Sequence, residues 1–65
     1  MLREVLVARA GASGLEYLVQ RPEGVTWEPR TEMAARYPTV RDATRAALRL
    51  PSRLRAFAWP NPLAA

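Results

Sequence analysis

No histidine, no cysteine and no lysine occur in this chain. Without histidine there is no imidazole to serve as general base or metal ligand. Without cysteine there is no thiol nucleophile, no disulfide scaffold and no thiolate zinc site. Without lysine there is no amine for a Schiff base. These absences argue against an enzyme and lead us to expect no cofactor and no metal. They also remove the usual staples of a small fold. A domain of 65 residues buries only ~60% of the surface its unfolded chain exposes. Its core must stand on packing alone or be completed by a second copy, so a homodimer is one expectation.

Long apolar runs are also missing. No stretch approaches the ~20 residues of a membrane span. Met1-Leu2-Arg3-Glu4-Val5 carries charge at once and opens no apolar run of the length a signal peptide needs. The expectation is a soluble, cytoplasmic protein that meets no membrane and takes no small-molecule substrate.

What is present is arginine. All ten basic residues are Arg, against five Glu and one Asp, for a net charge of +4 and a pI near 11.1. A basic balance favours acidic partners: an acidic protein face or nucleic acid. A second explanation is compositional, because a GC-rich genome also yields many Arg and Ala and few Lys.

The pattern of residue types predicts three strands and a helix. Residues 2–9 are rich in apolar and β-branched types and read as a strand. Residues 10–14 (Ala-Gly-Ala-Ser-Gly) read as a hairpin loop. Residues 15–21 read as the returning strand, with Leu15, Tyr17 and Val19 on one face. Pro22-Glu23-Gly24 signals a turn. Val25-Thr26-Trp27-Glu28 is a short third strand ended by Pro29, which has no N–H for a ladder. In the first strand, Leu2 and Leu6 point one way and Val5 and Val7 the other. That predicts cover on both sides, by the helix on one and by the C-terminal segment or a second subunit on the other.

Met33-Ala34-Ala35 suggests one helical turn, and Tyr37-Pro38 an extended stretch. Thr39 as N-cap with Asp42 three residues on approximates a capping box. The helix is expected from Val40 to Leu50, where Pro51 ends it. Val40, Ala43, Ala46, Ala47 and Leu50 share an arc of roughly 120°. Three of those five are Ala, which allows close approach to a sheet. Residues 52–59 alternate and read as a fourth strand, with a helical turn capped by Ser52 as the competing reading. Residues 60–65 read as a flexible tail.

Candidate chemistry is sparse. Glu4 and Glu16 are placed to meet across the hairpin, yet each has an Arg neighbour and nothing to bury it. The hydroxyls of Ser13, Ser52, Thr26, Thr31, Thr39 and Thr44 have no common kind of activating base. Gly11 and Gly14 flank Ala-Ser, a loop signature and not a phosphate cradle. The positive signal is a stripe of Arg41, Arg45 and Arg49, about 12 Å long at ~1.5 Å per residue. Arg36, Arg53 and Arg55 lie close by in sequence. Arginine pairs with carboxylate and phosphate bidentately. Trp59 follows an Arg-rich segment near the chain end, as an interface anchor or a base-stacking platform would, with packing back over the open side of the sheet as the competing reading. Tyr17, Trp27 and Phe57 are assigned to the core. Leu48 falls on the polar side of the helix beside Arg41, where it would mark a partner contact.

The stretch from Trp27 to Ala47 is similar in layout to a pattern in small bacterial and phage proteins. In that pattern a meander ends in Trp, an aromatic-Pro-Thr follows, and an Ala-rich helix begins. The resemblance implies the fold and no activity.

These readings combine into an α+β fold: an antiparallel β-meander of three or four strands with one α-helix packed on one face. Residues 1–59 form the domain. The expected core is Val5, Val7, Tyr17, Val19, Trp27, Val40, Ala43, Ala47 and Leu50. The expected function is non-enzymatic: an interaction module presenting Arg41, Arg45, Arg49, Arg53, Arg55 and Trp59 to an acidic protein surface or to itself. The alternative is a small nucleic-acid-binding protein using the same residues.

Overall fold

A computed structural model of the chain describes residues 4–60. Strands β1 (Val5–Gly11), β2 (Gly14–Arg21) and β3 (Gly24–Glu28) form the meander. Helix α1 (Val40–Leu48), a 3₁₀ turn (Ser52–Leu54) and strand β4 (Phe57–Pro60) follow. All strand pairs are antiparallel, and the order across the sheet is β3-β2-β1-β4. This is the expected α+β meander with one helix. β1 is central because the chain returns after the helix and pairs β4 along its free edge.

Both hairpins close through two residues, Ala12-Ser13 and Pro22-Glu23. Positive φ falls on the glycine after each turn, 129° at Gly14 and 140° at Gly24. A glycine there lets the strands resume their twist without a Cβ clash.

β1 and β2 pair only from Ala8↔Tyr17 to Gly11↔Gly14. Beyond Ala8 they part, and the connection after β3 fills the gap. Tyr37 exchanges two backbone hydrogen bonds of 2.9 Å with Val5, and the Ala35 N–H donates to the Leu18 carbonyl at 2.9 Å. The helical turn expected at Met33–Ala35 does not form: a hydrogen-bonded turn over Thr31–Ala34 closes on a 3.1 Å bond from the Ala34 N–H to the Thr31 carbonyl, and the Ala35 N–H is taken by Leu18. Tyr37 is extended, as its position before Pro38 requires. The inserted segment satisfies backbone groups that the parted strands would leave open.

The helix-side core contains Val5, Val7, Leu18, Ala43 and Ala47, with Trp27, Tyr37, Ala46, Leu50, Ala56 and Ala58 packed around it. Three expectations are corrected here. Tyr17 is half-buried on the opposite face together with Val19, which is buried as expected, and Leu18 supplies the helix-side contact. The run Tyr17-Leu18-Val19 is apolar in both phases, so pairing with β1 decides which residue faces the helix. Val40 is 54% exposed, because the part of the helix buried on the sheet begins at Ala43. Phe57 is 36% exposed and lies on the face away from the helix.

The prediction that β1 is covered on both sides agrees with its burial: Val5, Leu6, Val7 and Ala8 are all buried. The C-terminal segment supplies the second cover as expected, with β4 paired along the edge of β1. On the second face Leu6 is flanked by Trp59, and Ala8 by Tyr17 and Phe57.

Thr39 is the N-cap, and its hydroxyl accepts from the Asp42 N–H at 3.1 Å. The helix ends at Leu48, two residues before the expected Leu50. The Arg49 and Leu50 N–H groups bond to Ala46 and Ala47, the tightened i→i−3 pattern of a final turn. Pro51 enforces this by excluding the α region at Leu50. The strand expected over 52–59 is half correct. The 3₁₀ turn takes Ser52–Leu54, capped by Pro51 with no side-chain bond, and the strand proper is Phe57–Pro60. Pro60 therefore belongs to the sheet and not to the tail. The rest of that tail, 61–65, and the start of the predicted first strand, residues 2 and 3, lie outside the described residues.

Candidate functional site

The arginines divide into two populations. In residues 4–36 three of the four, Arg9, Arg21 and Arg36, have an acidic partner, and Arg30 has none among the described residues. The Arg9 Nε donates to the Glu16 Oε1 at 2.9 Å, and the Arg9 guanidinium sits 4.6 Å from the Trp27 ring centroid. The Arg36 Nη1 bonds both Glu4 oxygens at 2.9 and 3.0 Å and bridges 32 residues of sequence. Arg21 lies 4.0 Å from Glu28. The expected approach of Glu4 and Glu16 does not occur. They point to opposite faces of the sheet, and each is held by its own arginine.

From the helix onward no such pairing exists. Arg41, Arg45, Arg49, Arg53 and Arg55 are all exposed, and none has a salt bridge or side-chain hydrogen bond among the described residues. Residues 4–36 hold four Arg and five Glu, a net of −1; residues 37–60 hold five Arg and one Asp, a net of +4. The excess positive charge of the described chain is thus confined to residues 41–55, on α1, the 3₁₀ turn and their C-caps Arg49 and Arg55.

Helical spacing places Arg41, Arg45 and Arg49 on the side of α1 away from the buried Ala43 and Ala47. Leu48 lies among them and is 78% exposed. Arg53 and Arg55 extend the same positive half beyond the helix. Arg55 adopts the left-handed conformation, φ 52° and ψ 42°, as the C-cap of the 3₁₀ turn. It is the only described non-glycine residue with positive φ.

Trp59 does not join this group. It pairs with Leu6 on the sheet face opposite the helix, and its ring makes an edge contact with Phe57 at 6.0 Å. Trp59 therefore lies on the opposite side of the sheet from the helix that carries Arg41 and Arg45, with Arg49 at its end. The count of charge by halves was available in the sequence and is the signal that separates the arginines. The partnering of Phe57 with Trp59 required the register of β4.

A cleft of about 190 Å³ lies at the other end, lined by Arg21, Glu28, Arg30, Glu32 and Met33. It is below the ~300 Å³ at which ligand pockets begin, and its charges balance. No group of three metal-ligating side chains occurs among the described residues, and no helix is long and apolar enough to cross a membrane. The chain matches no protein family, no curated protein and no solved structure.

Proposed function

We propose that this protein is a non-enzymatic interaction module that presents Arg41, Arg45, Arg49, Arg53 and Arg55 to an acidic protein surface in the cytoplasm. The observation that carries this reading is the absence of any acidic partner for these five side chains among the described residues. Their counterparts Arg9, Arg21 and Arg36 each have one. An unpaired guanidinium retains its full capacity for a bidentate carboxylate. The exposed Leu48 among the arginines supplies the apolar contact that a charged ring alone lacks.

Arg55 adds support. The left-handed region suits glycine or asparagine and costs a larger side chain about 1 kcal/mol. An arginine kept there is placed against local preference, which points to a use for its charge. Nucleic-acid binding is the less favoured reading, because Trp59 faces away from the arginine stripe and offers it no stacking platform.

The test is an amide and guanidinium NMR titration of the whole chain with poly-L-glutamate, then with short duplex and single-stranded oligonucleotides. The reading expects shifts on the five arginines and Leu48 with poly-L-glutamate, fading as salt is added. A response to oligonucleotides alone would transfer the assignment to nucleic acid. Shifts that leave Arg41–Arg55 unmoved would remove the site.

A further inference from the structure

We infer that β4 is a self-pairing edge: two copies of this chain join antiparallel through their β4 strands, giving one eight-stranded sheet. The inference is independent of the arginine reading and uses the other face of the sheet.

The argument begins with the direction of backbone groups. Val5 spends both its N–H and its C=O on Tyr37, on the side away from β4. Alternation then turns the groups of Leu6 and Ala8 toward β4, where they meet Trp59 and Phe57. It follows that Phe57 and Trp59 direct their backbone groups inward to β1. Ala58 directs its N–H and C=O outward, and so does the C=O of Pro60. Pro60 has no N–H, and it sits where the sheet asks none of it. Among the described residues nothing pairs with the outward groups of Ala58.

These outward groups are self-complementary. With Ala58 opposite Ala58 of the second copy, the two residues exchange a pair of N–H···O=C bonds. Ala56 then stands opposite Pro60 at each end of the pairing. The Pro60 ring occupies the space of a ladder donor facing the Ala56 carbonyl, so the strands part there and the two Ala58 bonds carry the register. The same register sets Phe57 opposite Trp59 of the second copy, twice, in non-hydrogen-bonded pairs where cross-strand side chains are closest. The Phe57–Trp59 edge contact within each chain becomes half of a four-ring cluster across the two-fold axis.

Composition agrees. Proteins protect open edges with charge. The β3 edge has Glu23, Glu28, Arg30 and Glu32 in or beside it, whereas β4 carries no charge and has Pro60 alone, at its end, as a guard. Phe57, 36% exposed, lies on a sheet face over which the helix does not pack.

The experiment is sedimentation velocity on the full chain across its soluble concentration range. It is repeated on Ala58→Pro, Phe57→Glu and Val25→Pro, with circular dichroism as the check of folding. The wild type is expected to move from one-chain to two-chain mass. Ala58→Pro removes the outward donor; because Ala58 also packs beside the helix-side core, the spectrum shows whether the fold is kept, and the folded variant is expected to stay at one-chain mass. Phe57→Glu is expected to do the same. Val25→Pro, on the β3 edge, is expected to dimerise like the wild type. Hydrogen exchange on the wild type needs no variant: the Ala58 amide should slow as concentration rises. Added salt should strengthen this dimer, because the axis brings two positive halves together. A wild type that keeps one-chain mass throughout, an Ala58 amide that exchanges equally fast at all concentrations, or a dimer lost only in Val25→Pro would overturn the inference.

Discussion

Residues 4–36 and residues 37–60 contribute four and five arginines and use them differently. In the first half Arg9 and Arg36 hold Glu16 and Glu4 at 2.9 Å, and the five Glu slightly outweigh the four Arg. From Arg41 to Arg55 no arginine has an acidic partner, and the helix beneath them rests on the sheet through Ala43 and Ala47. In one half three of the four arginines are fastened to the fold. In the other the fold is finished without them. A charge that the structure does not use internally is available to a partner, and this contrast is the basis of the functional reading.

The contrast is open to mutation, beginning with the core that both halves share. Leu18→Ala should cost ~2–5 kcal/mol, a large part of the stability of a chain this small. Leu48→Ala, on the exposed arginine face, should stay within ~0.5 kcal/mol of wild type. Urea melts of the two would check this, and equal losses would mean that the arginine face is packed. Next in size is the helix cap. Thr39→Ala should cost ~0.5–2 kcal/mol by removing the bond to the Asp42 N–H, read as a lower melting temperature.

Smaller again is the effect on the paired arginines. Arg36→Ala should lose ~0.2–1 kcal/mol with its ion pair to Glu4. Arg45→Ala, with no pair to lose, should be neutral or slightly stabilising as self-repulsion falls. A cost for Arg45→Ala equal to that of Arg36→Ala would dissolve the distinction between the halves. Arg55→Gly should be neutral or stabilising by up to ~1 kcal/mol while weakening acidic-partner binding, because it relieves a positive φ and removes a charge. If binding is unchanged, Arg55 is outside the surface.

Elements with their own local signals were legible in the sequence. Alternation and glycine placement located the hairpins, and Thr39 with Pro51 bracketed the helix. The residues facing the helix were less legible where apolar side chains occur in both phases. Tyr17-Leu18-Val19 is such a run, and only pairing with β1 decides its orientation. The splitting of β1 from β2 by Ala35 and Tyr37 leaves no local trace, since it depends on hydrogen bonds between segments far apart in sequence. The arginine stripe followed from helical spacing alone. Trp59 was grouped with it by nearness in sequence, and the strand it belongs to turns it to the other side.

The most direct measurement compares two charge reversals of equal size. Arg45→Glu with Arg49→Glu, and Arg21→Glu with Arg30→Glu, each take the formal net charge from +4 to 0 (4 − 2 × 2). Binding of each double variant to poly-L-glutamate is measured by isothermal titration calorimetry beside the wild type. The account predicts at least about tenfold weaker binding for the helix variant, because like charges then face each other across the contact. The meander variant should bind within about twofold of wild type at physiological salt, where exposed charges beyond ~8 Å are largely screened. Equal losses in the two variants would contradict it, since net charge alone would then account for the binding and the unpaired arginines would form no site.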